Sequence, residues 1–106
     1  MTKSDTMTKV RITDQFRSGQ SMVYQLRCEG IRLKISISFS REIAGWTIDA
    51  ETKQVTDPVA VHAIGENRTQ ALGVVADAWR SHSGATGYPP FDWGAIREAL
   101  TAVRAL

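Results

Sequence analysis

Between residues 22 and 39 apolar and polar side chains alternate almost without a break. Met22, Tyr24, Leu26 and Cys28 lead into Glu29-Gly30, and Ile31, Leu33, Ile35, Ile37 and Phe39 follow. A period of two places alternate side chains on opposite faces, so this stretch predicts a β-hairpin with one dry face and one wet face. A two-residue turn at Glu29-Gly30 sets the pairing. Cys28 then stands opposite Ile31, Arg27 opposite Arg32, Leu26 opposite Leu33, Gln25 opposite Lys34 and Tyr24 opposite Ile35. Each apolar residue meets an apolar one, and a slip of one residue would turn every one of them to the wrong face.

The flanking chain extends this pattern. Residues 10–16 predict a first strand with Val10, Ile12 and Phe16 toward the core, closed by the Ser/Gly-rich turn of residues 17–21. Residues 40–45 read as a loop. Residues 46–51 alternate again, with Trp46 opposite Phe39, Ile48 opposite Ile37, Asp49 opposite Ser36 and Glu51 opposite Lys34. Residues 59–64 form a last short strand, apolar on both faces apart from His62, which suggests a helix on one side and a second chain or a terminal segment on the other.

Two helices follow. Asn67 is the expected N-cap of the first, with Gln70 three residues on in the manner of a capping box. Leu72, Val75, Ala76 and Trp79 fall on one face at helical spacing. Residues 84–90, rich in Gly and Pro, form a connecting loop, and Tyr88-Pro89-Pro90-Phe91 reads as a lid on the core or as a partner-binding surface. Asp92 caps a second helix expected to run to the end of the chain, with the stripe Trp93, Ile96, Leu100 and Val103. The fold expected is α+β: an antiparallel β-meander of four to five strands with two C-terminal helices packed on one face. Its core would hold Tyr24, Leu26, Leu33, Ile35, Ile37, Phe39, Trp46, Ile48, Leu72, Val75, Trp79, Ile96 and Leu100. Residues 1–9, rich in Thr, Ser and Lys, read as a disordered tail ahead of a single domain over residues 10–106.

Composition narrows the classes. The chain has 106 residues, 42% apolar and 23% charged, with a formal net charge of +2, so an anionic partner is permitted without being required. Cys28 is the one cysteine, which excludes an intrachain disulfide and fits a reducing compartment. Neither a signal-peptide pattern nor an apolar run long enough to span a membrane is present, so the cytoplasm is the expected location.

The candidate chemistry lies on the wet face. Arg27, Arg32 and Lys34 point there, and Arg41 and Lys53 add to an expected anion- or nucleic-acid-binding set. Arg27 opposite Arg32 is a like-charge pair, unfavourable by several tenths of a kcal/mol unless an anion sits between the guanidinium groups. The competing reading is a solvated face neutralised by Glu29, Asp49 and Glu51. The register sends Tyr24 and Phe39 to the dry side, which removes the base-stacking aromatics that single-strand binding would favour. Catalytic and metal signals are weak. His62, His82 and Cys28 lack the spacing of a zinc site, and no phosphate-cradling glycine motif occurs. No cofactor, metal site or catalytic residue is expected from the sequence.

The order of strands then helix over residues 22–79 resembles the Whirly-type transcriptional coactivators, a group of single-stranded nucleic-acid-binding domains. The resemblance concerns element order alone and transfers no residues. It implies single-strand binding and dimerisation. The function expected from the residues themselves is a small non-enzymatic interaction module, homodimeric or bound to a protein partner. The alternative is a single-stranded DNA- or RNA-binding domain that uses the basic polar face.

Overall fold

The structure, a computed structural model, describes residues 10–82 and 88–106. The expected tail and residues 84–87 of the expected loop lie outside the described residues. Five strands, β1 (Val10–Ser18), β2 (Ser21–Cys28), β3 (Ile31–Ser40), β4 (Gly45–Lys53) and β5 (Ala60–Gly65), are followed by α1 (Arg68–His82) and α2 (Trp93–Ala102). The strands form one antiparallel sheet in chain order, so every neighbour in space is a neighbour in sequence. This is the expected α+β meander, with a fifth strand and both helices in place.

The central hairpin pairs as its alternation requires, from Cys28 opposite Ile31 to Ser21 opposite Ser38. Glu29 (φ 52°) and Gly30 (φ 86°) both adopt the left-handed conformation, as a two-residue turn matched to strand twist demands. The β3–β4 pairing also follows the sequence, with Phe39 opposite Trp46 and Ile37 opposite Ile48. From the dry face Leu26, Leu33, Ile35 and Ile48 meet Leu72, Val75 and Trp79 of α1 and Ile96 and Leu100 of α2 in one core. Here α1 packs on β4 and β5, and α2 reaches β1. A ten-residue helix is too short to persist alone in water, so α2 owes its stability to this docking, where each buried Leu or Ile contributes about 1.5–3 kcal/mol.

Both helix starts are capped as the sequence predicts. The Gln70 amide donates to Asn67 Oδ1 at 2.8 Å, and the Gln70 side chain accepts from the Glu66 amide at 2.5 Å. Asp92 accepts from the Ala95 amide at 3.0 Å. The expected lid packs inward: the Trp79 indole donates to the Pro89 carbonyl at 2.7 Å and its ring lies 5.5 Å from Phe91 and 5.5 Å from Trp93.

Three expectations need correction. First, α2 stops at Ala102. Arg104 turns left-handed (φ 63°) and the Ala105 amide donates back to the Leu100 carbonyl at 2.8 Å, so Ala105 enters the core and Val103 stays outside it. Second, Phe39 is 44% exposed, because it lies on the dry face beyond the cover of the helices, and Trp46 beside it is half-buried. Third, Phe16 does not face the core. The register passes from Ile12 opposite Leu26 to Asp14 opposite Gln25, so Thr13 is an extra residue in β1. This β-bulge reverses the facing of everything after it. Phe16 therefore stands opposite Val23 on the wet face, and Arg17 stands opposite Met22 on the dry face.

Candidate functional site

Because neighbouring strands pair residue against residue on either side of the Thr13 bulge, residues of the wet face line up in rows across the sheet. The first row reads Arg11, Arg27, Arg32, Lys53, each directly opposite the next on β1, β2, β3 and β4. At about 4.8 Å between strands the four cations span about 14 Å. Among the described residues Arg11, Arg27 and Arg32 belong to no ion pair. Arg27 donates to the Gly30 carbonyl at 3.4 Å, a long contact that leaves most of its donors open. A concavity of about 160 Å³ lies among Arg27, Arg32 and Lys53, with Thr13, Gln25 and Gln54 adding polar groups to its wall. The bulge helps to form it, since the Thr13 hydroxyl is turned to the Gln25 carbonyl at 3.2 Å.

The second row reads Asp14, Gln25, Lys34, Glu51, Ala60. Glu51 Oε2 lies 3.1 Å from Lys53 Nζ and 3.6 Å from Lys34 Nζ. The Lys53 hydrogen bond, with the charge of Lys34 behind it, holds the Glu51 carboxyl below its ordinary range. One carboxylate is thus shared by two lysines and engages Lys53 more closely than Lys34, which leaves Arg11, Arg27 and Arg32 as the members of the first row without an ion pair among the described residues. Arg41 lies in the turn after β3, at the opposite end of the sheet from Arg32 and about 30 Å away along the strand. The structure brings together Arg27, Arg32 and Lys53, keeps Lys34 one row away, and leaves Arg41 outside.

The third row reads Phe16, Val23, Ser36, Asp49, His62. Phe16 is 41% exposed there, so the open face does carry an aromatic ring. Two members of this surface were missed from sequence. Arg11 was legible, since Val10 and Ile12 face the core and the residue between them must face away. Phe16 was hidden by the bulge, whose only sequence mark is the polar run Thr13-Asp14-Gln15.

His62 Nδ1 lies 2.5 Å from Asp49 Oδ1, with both side chains about half exposed on the open sheet. A histidine beside a carboxylate activates a side-chain nucleophile only if that nucleophile sits on the other side of the imidazole. Here Ser36 lies beyond Asp49, so the carboxylate stands between the two and the order is wrong for a relay. His82 is at the end of α1, stacked 5.0 Å from Tyr88. Cys28 is buried, and its burial, with Glu29 adding, pushes its thiol up to about 12. Such a thiol is no nucleophile at neutral pH. Among the described residues no three His, Cys, Asp or Glu side chains converge as metal ligands, and no helix is long and apolar enough to cross a membrane.

The outer edge of β5 is occupied near its start by Tyr88, whose hydroxyl donates to the Ala60 carbonyl at 3.1 Å. Toward its other end Ile64 is 52% exposed on the open face.

Fold and surface thus define an α+β domain: a five-stranded meander, helices on one face, and a cationic row on the other. Compared with models of protein families, with curated proteins and with solved structures, the chain matches none.

Proposed function

We propose that this chain is a non-enzymatic module that binds single-stranded nucleic acid across the open face of its sheet. The observation that carries the reading is the row Arg11, Arg27, Arg32, Lys53. Like charges set directly opposite one another on a sheet are unfavourable, and three such neighbours in sequence amplify the effect. A polyanion laid along the row converts that repulsion into charge-assisted hydrogen bonds, and guanidinium groups suit phosphate oxygens bidentately. The exposed ring of Phe16 offers a base-stacking surface on the same face. An open sheet face with no projecting helix or ribbon among the described residues suits a flexible strand better than the groove of a duplex.

The test is fluorescence anisotropy with a labelled single-stranded oligonucleotide across a salt series. Four phosphate contacts predict a slope of log K against log salt near −3, at about 0.7 per contact for single strands. Removing two of them in the double variant Arg27→Ala with Arg32→Ala reduces the slope by about 1.4. Binding that is indifferent to salt, or unchanged in the double variant, overturns the reading.

A further inference from the structure

The helix-covered face of the sheet ends in a second cavity, unrelated to the cationic row. It measures about 250 Å³ and its wall includes Arg17, Met22, Tyr24, Phe39, Trp46 and Arg68. Two structural accidents assemble it. The Thr13 bulge turns Arg17 onto the dry face, opposite Met22, where uninterrupted alternation would send it to the wet face. On the far side, Gly65 stands opposite Trp46 and lets α1 begin hard against the sheet, since a Cβ at Gly65 would lie 2.5 Å from the Ala71 amide nitrogen. That close approach sets the Arg68 guanidinium 5.0 Å above the Trp46 ring. Phe39 meets Trp46 edge to face at 5.3 Å and remains 44% exposed.

Three features of this cavity bear on what it could hold. Two guanidinium groups flank it, and among the described residues neither is in an ion pair. Tyr24 is only 5% exposed, yet among the described residues its phenol has no hydrogen-bond partner. The oxygen itself is not sealed off: among the described residues the fully buried side-chain atom without a partner is Trp93 Nε1, so the Tyr24 hydroxyl keeps contact with solvent and is free to bond a guest. Finally, an aromatic pair lies open at the mouth. Cationic donors, a spare hydroxyl and flat apolar walls together suit one kind of molecule: a flat ring that carries an acid group.

We infer that this cavity binds a small monocyclic aromatic carboxylate. Its ring would lie against Phe39 and Trp46, and its carboxylate would accept from Arg17, Arg68 and the Tyr24 hydroxyl. The volume agrees with the class. A cavity of about 150 Å³ accommodates benzene, so about 250 Å³ leaves room for a ring with a short acid arm. Arg68 serves twice, stacking on Trp46 and presenting its edge to the carboxylate.

The experiment is an amide and indole NMR titration of the whole chain with phenylacetate, repeated with its neutral amide and with inorganic phosphate. Saturable shifts of Tyr24, Phe39, Trp46 and Arg68 are expected below about 10 mM, with the amide and phosphate each weaker by about tenfold. Arg17→Gln and Arg68→Gln weaken binding by a similar factor. Tyr24→Phe keeps the buried ring, leaves the melting temperature unchanged and lowers affinity several-fold, a result that a purely structural role for the hydroxyl would not give. Absence of saturation, equal binding of the amide or of phosphate, or shifts confined to Arg27 and Arg32 overturns the inference. These outcomes are independent of nucleic-acid binding on the opposite face.

Discussion

Phe16 stands directly opposite Val23 on the open face of the sheet, although plain alternation from Val10 and Ile12 would send it into the core. One unpaired residue, Thr13, makes the difference. The same reversal carries Arg17 to the dry face, so a single bulge supplies an exposed ring to one surface and a cation to the other.

This placement separates the energetic role of Phe16 from that of the core. Truncation of a buried Leu to Ala costs about 2–5 kcal/mol, whereas a ring left 41% exposed gives up much less. In urea denaturation Leu33→Ala is expected to lose at least twice the stability lost by Phe16→Ala. In the anisotropy assay the order reverses, with Phe16→Ala weakening oligonucleotide binding by roughly 1–3 kcal/mol through lost stacking. Equal losses of stability would mean that Phe16 is a core residue after all.

Arg32 sits between Arg27 and Lys53 in the first row and has an unfavourable neighbour on each side. Arg32→Thr removes both repulsions and adds a residue favoured in strands. The free protein should become more stable by about 0.5 kcal/mol, a rise of some 2–4 °C in melting temperature at low salt. Added salt should shrink the gain, since exposed charges are screened. A variant less stable than the parent would show that Arg32 makes a favourable contact in the free protein.

Two glycines test the close packing of α1. A Cβ on Gly65 would lie 2.5 Å from the Ala71 amide nitrogen and 2.8 Å from its Cα, so Gly65→Ala forces the helix away from the sheet. Overpacking of this kind costs about 1–3 kcal/mol. Gly73, inside α1, has nothing within 4 Å of an added Cβ, so Gly73→Ala should stabilise by about 0.5–1 kcal/mol through helix propensity. Thermal melts of the two variants should therefore move in opposite directions. The phenylacetate titration of Gly65→Ala should weaken as Arg68 is displaced from Trp46.

Cys28 gives the fold a pH dependence on the alkaline side. Its folded thiol titrates near 12 against an ordinary value of 9.0. Between these the unfolded chain has lost a proton that the folded chain keeps, so stability falls as pH rises through that window, by up to about 1.4 kcal/mol per pH unit. Cys28→Ala should flatten this part of the profile. At pH 8 a thiol reagent should label Cys28 only on unfolding, and rapid labelling of the native protein would contradict its burial.

The pattern of residues alone determined the meander, its hairpin register, both helix caps and most of the core. These follow from short-range rules: a period of two, a two-residue turn, and side chains that satisfy the first turn of a helix. Even the Arg27–Arg32 conflict was legible, because register converts sequence positions into neighbours. Tertiary structure decided the rest. The extension of that pair into a row required β1 and β4 to pair in register on either side. The facing of Phe16 and Arg17 depended on a bulge that alternation cannot foresee. Phe39 and Trp46 were apolar at core-facing positions, but whether a core-facing residue is covered depends on where the helices end, and α1 and α2 leave that end of the sheet open. Burial is a property of the assembled layers. Local periodicity selects the face a side chain points to, and only the packed fold determines what, if anything, lies above it.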